Sequence, residues 1–192
     1  MNDLVMKGKS VLAGGTFGEV KIDGISVIEG DVACDKMEMD GIIDVKGNVS
    51  VNKRTDVDGI CKISGNVNMN DLDFDGCLSV SGDVTAENAN IEGLLTVDGT
   101  LNAGTIILKF HGASCAKEVV GGVIRIYRGI GLKQFRTELI EGDTIDIEQT
   151  RAKIVRGDSI VIGKGCVIGK AEYRTDLEIH QKAKVKERIK LN

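Results

Sequence analysis

The chain has 192 residues and a formal net charge of −4; 42% of it is hydrophobic but only 3% aromatic, with 25 glycines and neither proline nor tryptophan. That apolar share excludes a disordered chain, and the lack of rings leaves Ile, Val and Leu to build the core, which suits stacked short strands. No leading stretch has the basic, apolar, small-residue order of a secretory signal, and no apolar run approaches membrane-spanning length, so a cytoplasmic protein is expected.

Residues 1–20 contain Gly8 and Gly14, six apart, and read as a ragged first coil or cap. From Lys21 the chain repeats a phrase: KIDGISVIEGDVACDKM, EMDGIIDVKGNVSVNKRT, DVDGICKISGNVNMNDL, DFDGCLSVSGDVTAENA, NIEGLLTVDGTLNAGTI. One series of glycines falls at Gly24, Gly41, Gly59, Gly76 and Gly93, and a second at Gly30, Gly47, Gly65, Gly82 and Gly99. Steps within each series are 17, 18, 17 and 17, and the two stay six apart.

Each column of this repeat has a physical reading. An apolar residue (Ile22, Met39, Val57, Phe74, Ile91) precedes an acid (Asp23, Asp40, Asp58, Asp75, Glu92). Acid-Gly reads as a turn, because glycine tolerates positive φ and Asp bonds its own backbone. Three columns are expected to point inward: Ile25, Ile42, Ile60, Cys77, Leu94; then Ile28, Val45, Ile63, Val80, Val97; and, past the second glycine, Val32, Val49, Val67, Val84, Leu101. The alternation between corners is that of strands, and no segment sustains helical spacing. One phrase cannot bury its apolar face alone, whereas a stack can. The expectation is therefore an all-β, single-stranded parallel β-helix over residues 1–192, one domain of about 17 residues per coil. Like residues then sit about 4.8 Å apart along columns.

Residues 21–106 form the regular coils, and 107–126 an irregular one that keeps an apolar-x-Gly opening at Phe110 and Gly112. Residues 127–139 read as a loop carrying Arg128, Lys133 and Arg136. Further coils occupy 140–173, where Gly142 and Gly157 stand 15 apart. The tail 174–192 is a basic capping segment; its Lys182, Lys184, Lys186, Arg188 and Lys190 alternate as one face of a strand and offer a contact patch. Charge follows the rod: residues 21–106 hold 16 acids and 6 bases, and residues 107–192 hold 11 acids and 17 bases. Such a gradient steers association at low salt.

Chemistry-bearing residues are sparse. Cys34, Cys61, Cys77, Cys115 and Cys166 are odd in number and show no CxxC pairing, so they read as small buried hydrophobes in a reducing compartment rather than metal ligands. The acid column lacks the Gly-Gly-x-Gly-x-Asp phrasing of calcium-binding rolls and reads as solvated turn chemistry; no metal or cofactor is expected. His111 and His180 are isolated. His111 stands where the acid column would continue. Nucleophile-elbow, zincin and P-loop motifs do not occur. IGKGCVIGK superficially resembles the coils of hexapeptide acyltransferases, which stays as a minor alternative.

The Gly-x5-Gly coils of 21–106, GLLTVDGTLNAGTIIL at 93–108, EVVGGVIRIY at 118–127 and IDIEQTRAKIVRGDSIVIGKGCVIGKAEY at 145–173 resemble the bactofilins, and more closely the longer Gram-positive branch of polymer-forming cytoskeletal proteins. The resemblance implies a right-handed parallel β-helix and a non-enzymatic scaffold, polymerising without nucleotide or cofactor, at the membrane in several relatives. Its partner is then the chain itself, with terminal regions 4–20 and 160–191 as contact surfaces. The basic tail adds a membrane surface or an envelope-associated protein as a further partner. Neither nucleic acid, for which aromatic interleaving is missing, nor a small-molecule substrate is expected. The alternative is a monomeric or dimeric binding module presenting the 127–139 loop to a protein or glycan.

Overall fold

The structure, a computed structural model, describes residues 2–192. Among these residues nine strands form one sheet in chain order: β1 (Leu4–Val45), β2 (Val49–Ile63), β3 (Val67–Val80), β4 (Val84–Phe110), β5 (Cys115–Arg128), β6 (Phe135–Ile147), β7 (Thr150–Ile162), β8 (Val167–Ile179) and β9 (Lys184–Lys190). Every neighbouring pair is parallel. This is the β-solenoid that the repeat dictates, with phrase stacked upon phrase. Gly41, Gly59, Gly76 and Gly93 occupy successive rungs, as do Val45, Ile63, Val80 and Val97.

Burial confirms most of the columns and corrects one. The residues from Ile28 to Val97 and from Val32 to Leu101 in their two columns are all buried, as are Ile22, Met39, Val57, Phe74 and Ile91. The column immediately after the first glycine, expected to point inward, faces out. Ile25, Ile42, Ile60 and Leu94 are 49, 40, 48 and 39% exposed. The strand does not restart at the glycine; β2 and β3 run straight through Gly59 and Gly76. Alternation therefore carries across, the glycine takes the inward position, and the next inward residue is one later, at Ile43, Cys61, Leu78 and Leu95, all buried.

That inward glycine bends the chain rather than closing a turn. Gly59 has φ +128°, and a Cβ there would run into the Gly41 carbonyl oxygen on the rung before it. From Gly47 onward the second series works differently. Gly82 has no positive φ, but a Cβ on it would strike the side-chain Oδ1 of Asn66. The reason is a ladder of side chains running up the second corner. Asp31 Oδ1 accepts the Asn48 N–H at 2.7 Å, Asn48 Oδ1 accepts that of Asn66 at 2.8 Å, Asn66 Oδ1 that of Asp83 at 2.9 Å, and Asp83 Oδ1 that of Thr100 at 2.8 Å. Where the strand breaks, a side chain thus replaces the missing backbone acceptor of the coil below. A third bend appears where the register shifts between Val51 and Arg54; the repeat reading does not separate it from the strands.

Beyond residue 96 the rungs change length. Thr96 pairs Cys115, Cys115 pairs Arg136, Arg136 pairs Arg151, Arg151 pairs Val167, and Val167 pairs Lys184. At the first of these longer coils the Ser114 hydroxyl accepts the Leu95 N–H at 3.0 Å, mending a ladder that the inserted residues interrupt. The widest coil is filled by two rings, Phe110 and Phe135, fully buried with centroids 6.0 Å apart. A longer circuit encloses more volume than Val and Ile can fill, and two of the chain's few aromatics are placed here. The loop read over 127–139 is correspondingly shorter. Strand β5 continues to Arg128 and β6 resumes at Phe135, leaving 129–134, from which Ile130 and Leu132 project 77 and 91% exposed.

Replacing Gly59 with Ala combines a disfavoured φ with a backbone collision and is expected to cost about 2–4 kcal/mol. Asn66→Ala, which strands one exposed N–H, is expected to cost about 1 kcal/mol. Urea unfolding midpoints of the two variants test the order as well as the sizes.

Candidate functional site

Among the described residues no side-chain cluster looks like a reaction centre, and the histidines show what they do instead. His111 does not continue the acid column as expected: Lys109 takes that place, 2.7 Å from Glu92, and His111 Nε2 lies to its side at 3.4 Å from the same carboxylate. That lysine keeps the Glu92 carboxyl below the usual carboxylate range. Gly129 packs against the imidazole, where a Cβ would not fit. His180 accepts the Lys182 N–H through Nδ1 at 3.0 Å and so shapes the turn into β9. The two rings lie on separate coils and serve as turn residues.

Cys34, Cys61 and Cys166 are buried, Cys77 and Cys115 half-buried, and all five are free thiols. Burial pushes the Cys34 thiol up to about 11, Cys61 to about 12 and Cys166 to about 11. A raised value leaves little thiolate at neutral pH, and the thiolate is the nucleophile. Among the described residues no three His, Cys, Asp or Glu side chains gather as a metal site would require.

The chemistry is on the outer surface, as columns of charge. Several stacked charges are compensated by the rung above or below. Arg156 lies between Glu141 at 3.2 Å and Glu172 at 2.7 Å, Arg174 reaches Asp158 at 2.6 Å, and Lys153 reaches Glu138 at 2.6 Å. The Arg156 guanidinium holds the Glu172 carboxyl below its ordinary range. Two other columns are not compensated in this way. Asp40, Asp58 and Asp75 stand on successive rungs, and among the described residues none of them meets a cation. Arg136 and Arg151 stack directly on one another, and neither forms an ion pair within the described residues. Like charges at one strand spacing repel by roughly 1 kcal/mol per pair in water.

Arg136, Arg151, Lys153 and Lys186 border a shallow groove floored by Ala152, Val167 and Ile168. Sequence reasoning, drawn to the tail, misses this groove. The signal is there: FRTELIEGDTIDI laid over TRAKIVRGDSIVI at a step of 15 sets arginine over arginine. In the tail itself the five bases do not share a face. Lys184 stacks on Val167, but Arg188 stacks on buried Ala171 and Lys190 on Tyr173. Two outward residues in a row at the corner change the phase there, so Arg188 and Lys190 sit over the end of the core. Lys182 and Lys186 are exposed on the outer surface. The ten repeat glycines line the two bends described above.

The chain is similar to two proteins of Bacillus subtilis (strain 168), uncharacterized protein YhbF, at 35% identity over 97 residues, and uncharacterized protein YhbE, at 35% over 101 residues. Each alignment covers 47% of this chain, and 41 and 43% of the two relatives, so the match spans less than half of either curated protein. No family model matches the chain, and no solved structure does.

The burial pattern yields a direct test of the thiols. In the native protein at mildly alkaline pH, Ellman's reagent is expected to titrate Cys77 and Cys115 quickly, and Cys34, Cys61 and Cys166 only after denaturant is added. Fast reaction of all five would mean that the coils open far more readily than their packing implies.

Proposed function

We propose that the protein is a non-enzymatic scaffold that associates end to end with further copies into polymers, needing no nucleotide, in the cytoplasm or at the inner face of the membrane. The bactofilin-like phrasing of the sequence supports this reading, and so does the parallel solenoid. One observation carries it. β1 and β9 are the outermost members of a continuous stack, and an unpaired strand edge accepts further strands unless something guards it.

The two ends differ in how they are guarded. At the front, Met6 is buried and Leu4, Leu12 and Phe17 pack partly against the core. Covering such side chains with another coil is worth about 1.5–3 kcal/mol each when burial is complete. At the rear, Arg188 and Lys190 occupy positions stacked on Ala171 and Tyr173. Charges placed over a core end discourage addition there. The expectation of contact surfaces at 4–20 and 160–191 is thereby narrowed: the front coil is the stronger self-contact surface, and the rear coil the more guarded one.

A second reading is favoured by the loop at 129–134, whose Ile130 and Leu132 are largely exposed. A binding module would present these to a partner. Deleting the loop separates the two readings, since a scaffold retains its end contacts.

Leu12→Lys in the front coil is expected to abolish assembly seen by light scattering and negative-stain microscopy while leaving the far-UV strand signal intact. Arg188→Ala with Lys190→Ala should move assembly the other way, to lower protein concentration. Discrete monomers of the unmodified protein under every salt condition would sink the scaffold reading.

A further inference from the structure

Three columns run side by side along the outside of the rod. In two successive rungs they are Asp40, Ile42, Asp44 and Asp58, Ile60, Lys62, alternate residues of one extended run. The first column is the uncompensated carboxylates. The second is the outward aliphatic column, which continues through Leu94. The third passes through Ser79, Thr96 and Cys115, and in the rear half becomes Arg136, Arg151 and, two rungs on, Lys184. Uncompensated acid therefore lies on one flank of the aliphatic column in the front half. Uncompensated base lies on the opposite flank in the rear half.

From this arrangement we infer that two copies of the chain pack side by side, parallel and offset by half a rod, with the acidic column of one against the arginine column of the next. The handedness of the layout selects that geometry. When two parallel rods face each other across a shared column, the left flank of one meets the right flank of the other. An offset of about five rungs, about 24 Å, then brings Asp40 to Arg136 and Asp58 to Arg151, with Asp75 against Val167 and Glu92, already held by Lys109, beside Lys184. An antiparallel pair instead sets the carboxylates against the continuation of their own column. That continuation reads Lys109, Tyr127, Glu148, Gly163 and His180, one residue past the stacked Leu108, Ile126, Ile147, Ile162 and Ile179. Its lysine is already bound to Glu92, and no arginine or second lysine stands in that column. In register, without an offset, the carboxylates meet Asp44, Lys62 and Ser79.

The offset also gives the exposed apolar groups a partner. The 129–134 loop stacks on Gly112, with the Ile130 carbonyl accepting the Gly112 N–H at 3.2 Å, and Gly112 lies against Leu94. In the offset pair Ile130 and Leu132 lie along the aliphatic column of the neighbouring copy. Because the two surfaces in contact are different, the association is heterologous and does not close. It stands apart from the contact between rod ends, and it is the more salt-sensitive of the two.

Charge exchange tests it on the full chain. One variant carries Asp40→Lys and Asp58→Lys, the other Arg136→Glu and Arg151→Glu; all four positions are exposed, and circular dichroism checks that both variants fold. By sedimentation at about 50 mM salt, the unmodified protein is expected to associate laterally, and about 0.5 M salt should disperse that association. Each variant alone sets like charge against like and should associate at least about tenfold more weakly. Mixed in equal amounts, the two should recover the unmodified behaviour, since the introduced lysines of one now face the introduced glutamates of the other.

A mixture no better than either variant alone overturns the proposal, as does salt-independent association of the unmodified protein or its absence at low salt. Chains that form end to end but never thicken would sink the lateral contact and leave the scaffold reading standing. Loss of end contacts with salt-sensitive pairing retained would do the reverse. Vesicles containing phosphatidylglycerol supply the remaining arm. Should the Arg136→Glu, Arg151→Glu variant lose vesicle binding while self-association is unchanged, the arginine column serves an anionic membrane and the inference fails.

Discussion

The structure rests on the parallel backbone ladder between one coil and the next. Its spacing is fixed by the hydrogen bond, and its register is held by side chains that repeat at the same phase. Once that register is set, a position in the phrase becomes a line along the rod. Core formation, bends and surface charge all follow as properties of lines rather than of points. A lone phrase has no such lines, which is why stability here is a property of neighbours.

The same constraint explains the two uses of glycine. At Gly59 the chain must pass so close to the coil beneath that no Cβ fits, and it does so with φ +128°. At Gly82 the backbone is ordinary, and the space is needed for the Asn66 amide that bonds the next coil. One residue type thus answers two separate demands, approach of backbone to backbone and approach of side chain to backbone.

Much of this is legible in the sequence, because the repeat exposes the rung length directly. The columns from Ile28 to Val97 and from Val32 to Leu101 are readable for that reason, and so is the corner ladder's residue choice of Asp and Asn, although not its bonding. Ile25, Ile42 and Ile60 are misplaced by the same reading. It takes glycine to reset the strand, while the physical chain simply continues its alternation through a residue without a side chain. The loop reads too long because Phe135 looks like part of an exposed basic stretch; only the enlarged coil, with Phe110 waiting on the rung before, gives that ring its place. The Arg136 and Arg151 pairing sits in a region where rung length varies, and a column cannot be followed by eye when the step changes.

The side-chain ladder ends at Thr100, which receives the Asp83 carboxylate but has no amide or carboxylate oxygen to offer the following coil. Before that point the coils share one phrase of seventeen or eighteen residues; after it, coils differ more widely in circumference and in filling. Duplication or loss of whole seventeen-residue units in the front half therefore changes the length of the rod while leaving its bends, its rear half and both of its extremities as they were. Rod length is in this sense a modular variable, one that a lineage can tune by copying a short stretch of its own gene.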